Sequence, residues 1–266
     1  MPLQIQYSKE IARELGKIAV YFPGDEVKVG DIIRFPFGKK GLFRKTVPWG
    51  TFSKVTSLKN LGVTYKESQL SESPDPYQFS TKNAVNVGFN GNINADLTND
   101  KLPQGNASLS IKFSSEGAIY FLAVGCDKTG IDDIIALENQ IQSKSNLLWD
   151  DTFLVTSVTI AQKALIAQSN SKSSELIIGG EISGLKSNTA NINADAKISI
   201  IKEKGSAFIK DWSDNVTIFM EVMKLEKEIF SSTKGITPSN SSSIPSEEPS
   251  ERILLKKIDL EEYLNY

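Results

Sequence analysis

The sequence predicts an α+β fold: a twisted, mainly antiparallel sheet with two long amphipathic hairpins and flanking helices. Three observations carry this. In Ala84 to Ala95, residues Val85, Val87, Phe89, Ile93 and Ala95 alternate with Asn86, Gly88, Asn90, Asn92 and Asn94. In Thr189 to Ile201, residues Ala190, Ile192, Ala194, Ala196, Ile198 and Ile200 alternate with Asn191, Asn193, Asp195, Lys197 and Ser199. A period of two places each set on one face of a strand. Elsewhere the period becomes that of a helix, at Gln6 to Leu15 and at Ile131 to Leu148. About twelve extended residues reach on the order of 40 Å. Tilted by about 45°, that length covers the hydrocarbon core of a bilayer.

The 266 residues suffice for one large domain or two small ones. With 39% hydrophobic and 23% charged residues, the chain builds a packed core. A net charge of −2 selects no partner. Met1 to Glu10 is polar and mixed, unlike a secretory leader. No apolar run approaches the ~20 residues of a membrane helix. The expectation is a protein made soluble in the cytoplasm. Histidine is absent. Its absence removes Ser-His and Cys-His pairs, His-ligated zinc and the commonest general base. Neither a Walker A pattern nor G-x-G-x-x-G occurs. The reading is of a protein that is not an enzyme, with no catalytic residue, metal site or cofactor. Cys126 is the single cysteine, so no intrachain disulfide is expected.

In chain order, Gln6 to Leu15 forms a short helix ended by Gly16. Lys17 to Phe22 and Glu26 to Phe35 read as strands. From Ile32 to Lys66 no acidic residue occurs, while Arg34, Lys39, Lys40, Arg44, Lys45, Lys54, Lys59 and Lys66 interleave with Phe35, Phe37, Phe43, Trp49 and Phe52. Such a segment suits an anionic membrane surface or single-stranded nucleic acid. Taken alone, it reads better as a solvated basic hairpin whose aromatics are ordinary core. Glu67 to Tyr77 reads as a loop. Asn106 to Phe113 alternates Ala107, Leu109, Ile111 and Phe113 with Ser108, Ser110 and Lys112, and pairs with Ala84 to Ala95 as a hairpin. Ala118 to Val124 is a central strand. Asp132 and Asp133 favour the start of the helix Ile131 to Leu148. Phe153 to Ala167 and Leu176 to Ile182 are strands, as is Asn215 to Leu225. Lys224 to Phe230 is expected to turn helical.

Ser231 to Ser250 is mostly Ser, Thr, Pro and Gly, and reads as a flexible, protease-accessible linker. The tail beyond it carries Leu254, Ile258, Leu260, Tyr263 and Leu264, and reads as a helix of three to four turns. So short a helix needs a surface to dock on. The linker and tail together carry more acid than base, so a cut after Lys234 leaves the body at about +1. The predicted organisation is a body at 1–230, a cleavable linker at 231–250 and an inhibitory tail at 251–266. The cleavage bond lies somewhere within Ser231 to Ser250.

In order and pattern the chain resembles a gasdermin pore-forming domain over roughly residues 1–230. A short helix and a strand precede the basic aromatic loop Lys39-Lys40-Gly41-Leu42-Phe43-Arg44-Lys45 and a first amphipathic hairpin. Then come a helix at Ile131 to Leu148, a second hairpin from Phe153 to Ala167 and Thr189 to Ile201, and a closing strand at Val216 to Leu225. The resemblance implies an autoinhibited cytoplasmic monomer, cut by a protease. The N-terminal part then binds anionic lipids, forms a homo-oligomer and inserts two hairpins per subunit. Lys39, Lys40, Arg44 and Lys45 are implied to contact headgroups, with Leu42 and Phe43 as a membrane wedge. Val85, Val87, Phe89, Ile93, Leu109, Ile111, Phe113, Ile192, Ile198 and Ile200 are implied to face lipid. A short tail in place of a large inhibitory domain is similar to the compact bacterial type, which acts at the inner membrane in antiphage defence and cell death. Bacterial members often carry an acylated cysteine near the N-terminus, whereas residues 1–125 here contain none.

Two other classes fit parts of the pattern. A β-rich structural or interaction protein would use the tail as a docking arm. A nucleic-acid binder would use the basic segment with strong salt dependence, but no such motif occurs, and no nucleic-acid partner is expected.

Overall fold

The computed structural model describes residues 2–21, 26–37, 46–71, 75–90, 108–143, 151–180, 198–205, 207–230 and 250–264. Helix α1 (Leu3–Leu15) ends at Gly16, whose φ of 62° sets a left-handed cap with its N–H on the Ala12 carbonyl. Four short strands and a longer one follow: β1 (Ile18–Ala19), β2 (Asp31–Arg34), β3 (Ser53–Ser57), β4 (Glu67–Gln69) and β5 (Asp75–Ser80). Next come β6 (Val85–Asn90), β7 (Ser108–Phe113) and β8 (Ile119–Ile131). Helix α2 (Ile134–Gln142) starts where the Asp133 carboxylate accepts from the Ala136 N–H, 2.9 Å. The chain continues through β9 (Phe153–Gln168), β10 (Ser174–Gly180), β11 (Ile198–Lys204), β12 (Ala207–Phe230), β13 (Ser250–Lys257) and α3 (Leu260–Leu264).

These strands make two antiparallel sheets. The larger runs β1-β12-β9-β2-β3, with β13 on β12, β8 on β9, and β4 and β5 on β8. The smaller runs β11-β10-β7-β6. The mixed, largely antiparallel α+β class is the one the sequence predicts. Along β8 the faces split by parity. Ile119, Phe121 and Ala123 pack with Tyr7 and Ile11 of α1. Tyr120, Leu122 and Val124 pack with Leu109, Ile111, Phe113, Leu176 and Ile178 of the small sheet. The body is therefore three layers: α1, large sheet, small sheet. A further core gathers Ile32, Ile33, Leu137, Ile141, Phe153, Val222, Ile253 and Leu255.

Four expectations are corrected. Glu67 to Tyr77 is not all loop, because β4 and the start of β5 pair with the long β8 edge, Glu67 opposite Ile131 and Tyr77 opposite Ala123. Phe153 to Ala167 is not an arm of the second hairpin. As β9 it lies between β8 and β12, with almost every residue buried, as a near-continuous apolar strand should be. The partner of β11 is β10. Lys224 to Phe230 stays extended because β13 pairs with it. The tail is likewise a strand followed by a short helix, not a helix of three to four turns. Pairing to a strand edge satisfies its backbone at once, whereas a lone short helix is marginal.

Candidate functional site

The small sheet is the large sheet folded back on itself. Strand β5 continues into β6 through 81–84, β7 into β8 through 114–118, β9 into β10 through 169–173, and β11 into β12 through 205–206. In the large sheet the four lie in the order β5-β8-β9-β12. In the small sheet their continuations lie in the matching order β6-β7-β10-β11. Straightening the four turns thus gives one continuous four-stranded antiparallel sheet without exchanging a single neighbour.

Parity survives the same operation. Val85, Val87 and Phe89 sit opposite Phe113, Ile111 and Leu109, which sit opposite Ser174, Leu176 and Ile178. Asn86 sits opposite Lys112, and Lys112 opposite Glu175, with Nζ to Oε1 at 3.7 Å. Folded back, the apolar face lies on Tyr120, Leu122, Val124, Leu165 and Ala167. Burying five large side chains there contributes on the order of 10 kcal/mol gross. Straightened, inner faces of the two sheets become one face.

The four turns form a line tied crosswise by hydrogen bonds. The Thr81 N–H donates to the Ile119 carbonyl (3.0 Å), and Ser114 N–H to Ala84 (2.9 Å). Gly117 N–H donates to Ser169 (2.7 Å) and Ser169 N–H to Ala118 (2.9 Å). The Ser171 and Ser174 hydroxyls both donate to the Gly205 carbonyl, each at 2.6 Å. Gly117 and Gly205 hold φ of 81° and 64°, a region that glycine alone enters cheaply.

The tail covers a separate seat. Its strand β13 takes the edge of β12 from Met223 to Phe230. Its outward N–H groups are capped by α2: Ile253 donates to Gln142 Oε1 (2.7 Å) and Leu255 to Glu138 Oε1 (2.8 Å). Then Tyr263, 6% exposed, packs with Ala12, Val47 and Trp49, and with Ile258, Leu260 and Leu264 beside it. The Trp49 indole N–H donates to the Tyr263 carbonyl (3.1 Å), and Lys9 Nζ to that of Leu264 (3.4 Å).

A cavity of about 190 Å³ lies at the seam of tail and body, between Lys17, Thr156, Glu221, Lys257 and Leu260. Burial pushes the Glu221 carboxyl up, but the bond and charge of Lys128, the Ser157 hydroxyl and the Lys17 charge outweigh it and hold it below the ordinary value. Lys128 Nζ lies 2.6 Å from Glu221 Oε1. A lowered folded-state value contributes stability that is present above the unfolded value near 4.5 and lost as pH falls through the folded value. Lys128→Met should therefore lower the urea midpoint at pH 7 and lower it less at pH 3. An equal loss at both pH values would place the effect in packing instead.

The sequence-derived site residues fall unevenly on this frame. Leu109, Ile111 and Phe113, in the small sheet, are buried against the large one, Val85 is half-buried and Val87 exposed. Phe89, Ile198 and Ile200 belong to β6 and β11 by register. Lys39, Lys40, Leu42, Phe43, Arg44, Lys45, Ile93 and Ile192 lie outside the described residues, as does the linker from 231 to 249. Of the basic segment's aromatics, Phe35 and Trp49 are core. In the tail, Ile253 and Leu255 carry the burial expected of Leu254. Sequence reasoning missed Trp49 as the tail's seat, α2 as its cap and the serines at the turns. Only the cluster Ser169 to Ser174 left a visible signal, as a turn composition.

No protein-family model matches the chain, and no curated protein does. Among solved structures the chain is similar to the "Cryo-EM structure of the Gasdermin A3 membrane pore", at 12% identity and a TM-score of 0.31, over 87% of this chain and 92% of that one.

Proposed function

We propose that this chain is a gasdermin-like pore-forming protein held inactive by its own C-terminal tail. Proteolysis within 231–250 frees the tail; the body then binds an anionic membrane, oligomerises and opens its folded-back sheet into the bilayer. The single observation that carries the reading is the matched strand order of the two sheets. Four strands that are the ordered continuations of four others can open into one sheet without breaking and re-forming a ladder.

Geometry supports a strand route into the bilayer. No helix among the described residues is long and apolar enough to cross a membrane. A strand route requires closure, since open edges cannot persist in lipid. The edge strands β6 and β11 run in opposite directions, three antiparallel steps apart. Copies set side by side would thus continue the antiparallel order, as a closed barrel requires. Straightened, each of the pairs β5–β6, β7–β8, β9–β10 and β11–β12 exceeds the roughly 9–11 residues that a tilted spanning strand needs. On this reading Lys39, Lys40, Arg44 and Lys45 meet headgroups, Leu42 and Phe43 wedge between them, and the chemistry is mechanical, with no catalytic group. The cell would be bacterial, the site of action the inner membrane, and the outcome cell death during antiphage defence.

The test is dye release from phosphatidylglycerol-containing liposomes. A protease site placed near Asn240 is cut after folding, and cut and uncut chains are compared. Release after cutting alone is expected. No release from the cut chain across several lipid mixtures would overturn the pore and favour an interaction protein with a docking arm.

A further inference from the structure

We infer that helix α1 couples the tail's seat to the line of turns, so that an unseated tail loosens the fold-back. The inference rests on the reading of the small sheet as an opening element. Its basis is that one rigid helix of 13 residues, about 20 Å long, touches both places.

At one end, α1 belongs to the turns. Its Leu3 carbonyl accepts from Gln168 Nε2 at 2.9 Å, and the same nitrogen lies 3.5 Å from the Gly117 carbonyl. The Gln6 carboxamide fills the space where a Cβ at residue 117 would stand, so α1 rests on the bare backbone of that turn. Gln168 is 1% exposed and its Oε1 has no partner among the described residues, so its orientation is set by the Leu3 bond. Gln168 is also the last residue of β9, directly before the serine turn. It joins helix, second turn and third turn at one amide.

At the other side, α1 belongs to the tail. Lys9 reaches the Leu264 carbonyl, and Ala12 and Ile5 pack with Tyr263, Leu260 and Leu264. Ser8 Oγ accepts from the Gly50 N–H at 3.0 Å, fixing the loop whose Trp49 holds the Tyr263 carbonyl. Tyr7 and Ile11 seat the helix on the large sheet between the two. Removing the tail strips one flank of α1. Whatever freedom the helix then gains is passed along the rod to the Leu3 and Gln6 contacts. The coupling needs no contact between tail and hairpins.

The experiment is residue-resolved hydrogen exchange on the intact chain in solution, without membrane, beside liposome leakage. Tyr263→Asp unseats α3 at a distance from the turns. It is expected to speed exchange of the Gly117 and Ser169 amides at least tenfold, with Leu165 and Ile166 in β9 unchanged as a folding control. Gln168→Ala is expected to speed the same two amides while Ile253 and Leu255 stay protected, separating a loosened turn from a lost tail. Unchanged Gly117 and Ser169 exchange in Tyr263→Asp overturns the coupling, even if that variant leaks. Faster exchange without leakage from the cut chain supports the coupling and counts against the pore instead.

Discussion

Ile111→Asn is expected to lower leakage by the cut chain at least tenfold, while Lys112→Asn, one residue along, stays within about twofold of the unaltered protein. The contrast follows from parity. Ile111 is fully buried, paired with Val87 and Leu176, and set against the large sheet. Lys112 is exposed on the other face beside Glu175. In solution, an amide at 111 loses the burial of a large side chain and gains an unpaired polar group, together about 3–5 kcal/mol. The small sheet should therefore open more readily, seen as faster exchange across Leu109 to Phe113. On the proposed reading the same amide would meet lipid in the membrane, where an unsatisfied polar group costs several kcal/mol. A residue with only a packing role would make opening and leakage rise together. Opposite movements of exchange and leakage in Ile111→Asn identify a face that is buried in water and later turned to lipid. Equal leakage from both variants would remove that assignment.

The alternation that predicts this face is the part of the fold most legible in the sequence. Val85, Val87, Leu109 and Ile111 announce their side by a period of two, and the register keeps them together. Helix α1 was legible for a similar reason, with Gly16 marking its end. What was not legible is which strand pairs with which. Phe153 to Ala167 has no polar face, so nothing local says that it belongs between β8 and β12 rather than beside β11. The turns were hidden too, because a strand that reverses after Gly117 or Gly205 has the same period before and after the reversal. In the tail, a spacing of four between Leu254 and Ile258 mimics a helix, while the spacing of two between Ile253 and Leu255 is what the β12 edge selects. A short amphipathic segment takes the periodicity of the surface that receives it.

That last point makes the tail's geometry measurable in trans. Burying Ile253, Leu255 and Tyr263 contributes roughly 1.5–3 kcal/mol each, and the Trp49 bond about 1 more. Added to the eight residue pairs of β12 and β13, these contacts are expected to outweigh the association cost by roughly 5.5–8 kcal/mol, a dissociation constant of roughly 1–100 µM for the separated tail. While the linker is whole, the tail is present at an effective concentration of order millimolar, and the seat stays filled. Cutting leaves the contacts of residues 250–264 as they are; it only replaces that concentration by the real one. A cut sample should therefore leak when diluted below about 1 µM, and a synthetic peptide of residues 250–266 should silence it again with a midpoint of roughly 1–100 µM. Alanine at Leu255 or Tyr263 should weaken the peptide tenfold or more. Alanine at Leu254, on the half-buried side, should change it little. A helical tail predicts a different set, with Leu254 and Ile258 sensitive together and Leu255 spared. The scan therefore separates a strand that borrows the β12 edge from a helix laid on the surface. A strand that borrows the β12 edge would, on leaving, bare that edge from Met223 to Phe230.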